Sequence, residues 1–324
     1  MKANTTKRKL TVKQRQRAAE SLSLAQNELV AARTLKEQGQ FASGFVHLYY
    51  ASFHTGKAAL SDTTIQSKKH APWNGELNKR FGRGQSWLPK TYARLPQDLQ
   101  TIREDAQYEG VVANDPQVFD KYERVVVKFI AFVMNRTPLC HYEEFILDLV
   151  HKQSIGPSVE FDYYCPKSYV HKDRCQYQVT RQRVNTRTIA LLSRAGRETI
   201  ERLHGSRIED YVLGWNNRLG QSAEAFLLFL DIDHSDEGDV KAALKGQQGW
   251  LFKTGAGYHF IGKKPIESDE EWRSTMKRLH RSKGLKKLLD QRYLEYSLRR
   301  GFSTVRITRS PVKTFRPFLC AEIK

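Results

Sequence analysis

The stretch Phe229-Leu230-Asp231-Ile232-Asp233-His234 is an apolar run that ends in two aspartates two residues apart. On a β-strand, residues i and i+2 project to the same side, so the two carboxylates repel at close range. A divalent cation relieves that repulsion. Mg2+ favours one or two carboxylates and lets substrate phosphates complete its shell. Paired ions of this kind stabilise both oxygens of a phosphoryl displacement. The competing reading is two exposed acids leading into an acidic turn, Ser235 to Asp239. An Asp-x-Asp pair alone leaves both readings open.

A second element follows at Lys253-Thr254-Gly255-Ala256-Gly257-Tyr258-His259-Phe260. The flanking segments Trp250–Lys253 and Tyr258–Ile261 read as two strands joined across the glycine turn. Glycines there allow backbone N–H groups to approach phosphate oxygens. Thr254, Gly255 and Gly257 would line such a turn, with Lys253 and His259 flanking it and holding a triphosphate. An ordinary hairpin with an incidental histidine is the alternative. Nearer the C-terminus, Arg299, Arg300, Arg306, Arg309, Lys313 and Arg316 make a cationic strand-and-turn stretch. Arginine's planar fork suits phosphate oxygens. Arg306, between Val305 and Ile307, is expected to point away from both and toward the site.

In this order, the strand acids and the Gly-x-Gly-Tyr-His-Phe turn resemble the archaeo-eukaryotic primase-polymerase superfamily, over roughly residues 221–317. The resemblance implies an α/β domain with an RRM-like sheet and a metal-dependent nucleotidyltransferase acting on DNA or RNA with nucleoside triphosphates. It implies that Asp231 and Asp233 bind Mg2+ or Mn2+ and that His259 contacts the phosphates of the incoming nucleotide. The family's third acid would be Asp290, with Glu295 competing; both fall in what reads as helix, where the family has a strand.

Positioning elements precede this region. Leu22, Ala25, Leu29 and Ala32 recur at helical spacing and form one apolar stripe. Further helices are expected over 41–60, 96–109 and 116–134, with 61–84 a long loop or broken helix. Small residues beside aromatics in the second helix suit a bundle core. Leu48-Tyr49-Tyr50-Ala51-Ser52-Phe53-His54-Thr55-Gly56-Lys57, with Ser67-Lys68-Lys69-His70 and Arg103-Glu104-Asp105-Ala106-Gln107-Tyr108, resembles the HEPN domains. These are helical bundles often paired with nucleotidyltransferases in defence systems, and the resemblance implies a homodimer. The ribonuclease members carry a histidine after the arginine on one helix; here Tyr108 follows Arg103, and His70 lies on another segment. The expectation is a non-catalytic RNA-binding or dimerisation role, with a ribonuclease toxin or a catalytically inactive nucleic-acid binder as rivals.

The expected organisation is α+β. A basic arm spans 1–17, a helical bundle 18–136, a connecting segment 137–185, and the α/β domain 186–324. Ala225–Ile232 reads as a buried central strand. With 54 Lys and Arg against 35 Asp and Glu, the chain carries +19 and should attract a polyanion. Apolar residues, 40% of the chain, suffice for real cores. No apolar run is long enough to cross a bilayer and the N-terminus lacks a secretory apolar segment, so a cytoplasmic protein without membrane association is expected. Cys165, His171 and Cys175, with Cys140 or His141, could supply four zinc ligands, but their spacing matches no closed zinc motif. Reduced thiols are the preferred reading.

Overall fold

In the computed structural model the chain divides into two compact units, residues 1–139 and 140–324. The structure describes residues 9–63, 65, 70–83, 87–106, 114–152, 158–165, 174–204, 211–219, 225–234, 236–308 and 315–324. No helix among them is long and apolar enough to cross a membrane.

The first unit consists, among its described residues, of five helices: α1 (Val12–Glu37), α2 (Phe41–Ala59), α3 (His70–Phe81), α4 (Lys90–Ala106) and α5 (Pro116–Arg136). Thr11 starts α1 through a capping box: its hydroxyl accepts from Gln14 N–H while its own N–H donates to Gln14 Oε1. The helix therefore begins inside the stretch read as a basic arm. Its buried stripe is Ala18, Leu22, Ala25, Leu29 and Ala32, the expected face. Helix α3 forms within the stretch read as a long loop or broken helix, burying Asn74, Leu77 and Phe81. Helix α4 starts before the expected position and holds Pro96 in its interior. A proline there removes one helical hydrogen bond. Burial of Ala93, Leu95 and Leu99 compensates.

The second unit is α+β with antiparallel pairing throughout. Helix α6 (Tyr142–His151) leads into β1 (Ser158–Tyr164), β2 (Cys175–Thr180) and α7 (Thr186–His204). Then come β3 (Val212–Leu219), β4 (Ala225–Phe226), β5 (Phe229–Ile232), α8 (Glu237–Ala243), β6 (Gly249–Lys253) and β7 (Tyr258–Gly262). Helices α9 (Asp269–Arg281) and α10 (Gln291–Arg300) precede β8 (Thr304–Arg306) and β9 (Phe318–Ile323). One sheet has the order β2-β1-β3-β4 with β8 also on β3; the other runs β5-β7-β6-β9. The connecting segment supplies α6 and two strands.

The expected central strand is divided. Ala225 and Phe226 pair with β3 in the first sheet, whereas Phe229 to Ile232 pair with β7 in the second. Its continuous apolar character comes from burial at the junction of two antiparallel sheets, not from a parallel one. A common core joins both sheets to α6 and α7, including Tyr142, Phe145, Phe161, Trp215, Phe229 and Phe252.

Candidate functional site

Strand β5 brings Asp231 opposite His259 of β7 in the antiparallel register. Residues directly opposite share a face of the sheet. The side chains meet there, with His259 Nε2 3.7 Å from Asp231 Oδ1. His259 is 5% exposed, while the Asp231 side chain keeps 28% of its surface open. Asp233, one pleat further, is exposed. Two oxygen donors at an open strand end suit a hard cation. Among the described residues no three His, Cys, Asp or Glu side chains are grouped to hold a metal ion. A cation on this pair would take its remaining ligands from phosphate oxygens and water.

The other ring nitrogen of His259 is fixed by a residue the sequence did not single out. Tyr142 Oη lies 3.0 Å from His259 Nδ1. Its ring stacks on Phe252 with centroids 4.0 Å apart, and it is fully buried. Burial drives the Tyr142 pKa well above the ordinary phenol value. The phenol therefore keeps its proton; with that proton donated to Nδ1, the imidazole's own proton would sit on Nε2, the nitrogen nearer Asp231. Helix α6 and strand β7 are far apart in the chain, and spacing alone carries no sign of this contact.

Asp290 does not lie within a helix. It is the N-cap of α10, and its Oδ1 accepts from the N–H groups of Arg292 and Tyr293. Its backbone nevertheless continues the sheet: Asp290 N–H donates to Asp231 O, and Asp233 N–H to Leu288 O, around an Ile232–Leu289 bridge. Asp290 is thus beside Asp231 by its backbone, with one carboxylate oxygen committed to the cap. Glu295 is exposed on α10 and pairs with Arg299.

The glycine turn joins β6 to β7 as expected and is closed by Thr254 N–H donating to Gly257 O at 3.0 Å. Gly255 takes a left-handed φ of 107°. A Cβ on Gly257 would lie 2.2 Å from Ile232 O, so only glycine lets this turn reach the end of the acid-bearing strand. Lys253 departs from its expected role. Phe252 pairs with His259 and Lys253 with Tyr258, so pleat alternation puts the lysine on the face opposite His259. Lys253 is fully buried, with Nζ donating to Ala256 O and lying 4.1 Å from the centre of the Tyr258 ring.

Burial pushes the Lys253 pKa down from 10.5 to about 8. Below about pH 8 the folded protein carries a desolvated charge that the unfolded chain hydrates freely. Between about 8 and 10.5 the folded state has shed that proton and the unfolded state has not, so this group makes stability rise with pH. The expected gain across that interval is roughly 3 kcal/mol. Denaturant midpoints measured from pH 7 to 10 should rise more for the native protein than for Lys253→Met. Parallel curves would refute the shift.

Arg306 is also buried, and burial lowers its pKa to about 10. Its guanidinium donates to the carbonyls of Thr308, Phe315 and Thr254 at 2.7, 3.0 and 3.1 Å. It braces β8 against the glycine turn, and its bonds go to backbone where phosphate contact was expected. Lys313 and Arg309 lie outside the described residues.

In the helical unit, His70 and Arg103 converge on one side chain. His70 Nδ1 lies 2.6 Å from Tyr49 Oη, and the Arg103 guanidinium sits 4.9 Å from the centre of the Tyr49 ring. His70 also stacks on Phe53 at 4.2 Å. Burial first, then the charges of Arg103 and Lys57, lower the His70 pKa. Tyr49 and Phe53 are core residues, whereas Tyr50 is half-buried. Of the thiol cluster considered for zinc, Cys140, Cys165 and Cys175 form no disulfide, and His171 lies outside the described residues.

No protein-family model matches this chain, and no curated protein and no solved structure matches it.

Proposed function

We propose that the C-terminal unit is a metal-dependent nucleotidyltransferase of primase-polymerase type. The observation that carries this reading is the convergence of Asp231 and His259 on one face of the sheet, with exposed Asp233 two residues further along the chain. Mg2+ or Mn2+ held by Asp231 and Asp233 would neutralise phosphate charge and favour an attacking oxygen. His259, oriented by Tyr142, presents an N–H to a phosphate oxygen. The proposed reaction joins a strand's 3′-oxygen to the α-phosphorus of a nucleoside triphosphate as the bond to pyrophosphate breaks, the hydroxyl proton passing to solvent. Such chemistry rests on positioning and charge more than on a reactive side chain. The excess of 19 positive charges suits a polyanionic template.

The test is nucleotide incorporation on primed and unprimed templates with either cation. Activity should disappear in Asp231→Ala plus Asp233→Ala. Unchanged activity in that variant would remove the assignment. Salt-dependent template binding without incorporation by the native protein would leave an inactive binding domain.

The helical unit supports a second activity, RNA cleavage, favoured by the convergence of His70 and Arg103 on Tyr49. A histidine kept neutral at pH 7 can accept a 2′-hydroxyl proton while an arginine meets the phosphate. Cleavage of a labelled RNA by the full chain, lost in both His70→Ala and Arg103→Ala, is the expected result. Cleavage indifferent to both would exclude it.

A further inference from the structure

Away from the glycine turn and Arg306, a collection of guanidinium groups lies around Gly301 and Phe302. The Phe302 ring is buried, and the guanidinium carbons of Arg218, Arg174 and Arg300 stand 4.5, 4.6 and 5.3 Å from its centre. These arginines come from β3, the residue before β2, and the end of α10. Arg273 of α9 joins them. From the position a Cβ would take on Gly301, Arg273 Nη2 is 2.9 Å away and Arg218 Nη2 3.8 Å. Gly301 has a φ of 77°, and its missing side chain leaves room where two guanidinium groups converge.

The acids nearby do not balance this charge. Arg174 is paired with buried Asp162, and Arg273 with Asp269. Arg218 and Arg300 form no ion pair among the described residues. Arg300 Nε donates to Tyr296 O, while Arg218 Nε is buried with no hydrogen-bond partner among the described residues. A third acid, Glu160, is half-buried, with burial raising its pKa and Arg218 lowering it; Asp162, Asp269 and Glu160 thus face four guanidinium groups. Like charges crowded in a low-dielectric setting call for a counter-anion. Arg300 and Asp231 both act electrostatically on the hydroxyls of Tyr164 and Tyr293, so the cluster borders the carboxylate site.

We propose that Arg218 and Arg300, supported by Arg174, Arg273 and the Phe302 ring, form a binding site for a phosphate group of nucleic acid. The guanidinium forks match phosphate oxygens, and ring stacking restricts their rotation. The site needs no divalent cation, so it stands or falls independently of the nucleotidyltransferase reading.

The experiment is fluorescence anisotropy of the full chain with a labelled single-stranded oligonucleotide of about 20 nucleotides, longer than a usual single-strand site of roughly 4–16. Titrations run in EDTA between about 50 and 200 mM salt, where phosphate contacts register. Arg218→Gln plus Arg300→Gln is compared with Lys277→Gln plus Arg281→Gln, which removes equal charge from the exposed face of α9. The cluster variant should bind at least about tenfold more weakly. Its slope of log affinity against log salt should become shallower by about 0.7, the value for one single-strand phosphate. Equal losses in the two variants would overturn the site in favour of diffuse attraction. If the glutamine variant fails to fold, Arg218→Lys plus Arg300→Lys keeps the charge and loses only the fork; undiminished binding would also overturn it. Nucleoside triphosphate, and separately inorganic phosphate, added as competitors in EDTA identify the source. Displacement by the triphosphate assigns the site to a nucleotide's phosphates, and resistance to it assigns the site to the strand backbone.

Discussion

Asp162→Ala is expected to lower the stability of the C-terminal unit by about 3–5 kcal/mol, the usual cost of breaking a buried ion pair from one side. Asp162 is fully buried at the middle of β1. Its carboxylate accepts from Arg174 Nε at 2.9 Å, Thr304 Oγ1 at 2.8 Å and Asn216 Nδ2 at 3.3 Å. These partners come from three different segments, so one carboxylate ties β1, β3 and β8 together. Removing it strands an arginine whose side chain is only 8% exposed and leaves two further donors without their acceptor. Asp162→Asn, which keeps the shape and one acceptor oxygen, should cost less. Denaturant unfolding followed by circular dichroism measures both. A loss below about 1 kcal/mol in the alanine variant would mean that water replaces the carboxylate, against the burial described here.

The second large effect concerns activity. Asp231→Asn is expected to reduce nucleotide incorporation by roughly 10²–10⁴-fold, the rate equivalent of several kcal/mol of lost charge stabilisation. The substitution preserves volume and sits where the side chain is already partly open, so the melting temperature should move by only about 2–4 °C. Asp233→Asn should act in the same direction. His259→Gln removes a single charge-assisted contact and should cost less, about 10–100-fold. Incorporation rates at saturating metal, with melting curves of each variant alongside, separate lost chemistry from lost folding. A fall in activity matched by collapse of the melting transition would assign Asp231 a structural role.

Patterns that repeat on one face were readable in the sequence. The stripe Leu22, Ala25, Leu29, Ala32 announced α1, and the β6–β7 hairpin followed from apolar segments flanking Thr254-Gly255-Ala256-Gly257. The position of Asp231 was readable because it closes an apolar run, Phe229 to Leu230, that begins β5. Strand β3 was not visible, because Asn216 and Asn217 break its apolar pattern. Both are fully buried and hydrogen-bonded: Asn217 Nδ2 donates to Leu227 O, and Asn217 Oδ1 accepts from Ser303 N–H. Polar side chains satisfied by distant backbone look like a loop in one dimension. Helix α3 was readable only as one of two alternatives, loop or broken helix, because its composition is polar and few of its residues, such as Asn74, Leu77 and Phe81, are buried. Tyr142, which orients His259, and the arginines around Phe302 are contacts made across the fold. No local spacing encodes them.

The eight residues from Ala225 to Ile232 begin in one sheet and finish in the other. A stretch shared in this way works as a rivet: neither sheet can slide past its neighbour without breaking the backbone bonds at one end of it. Melting either layer by itself would tear Phe229 from its contact with Trp215 and expose the apolar seam between them. The strands of the C-terminal unit should therefore lose their structure together, in a single cooperative transition, and the geometry at Asp231 should persist until that transition begins.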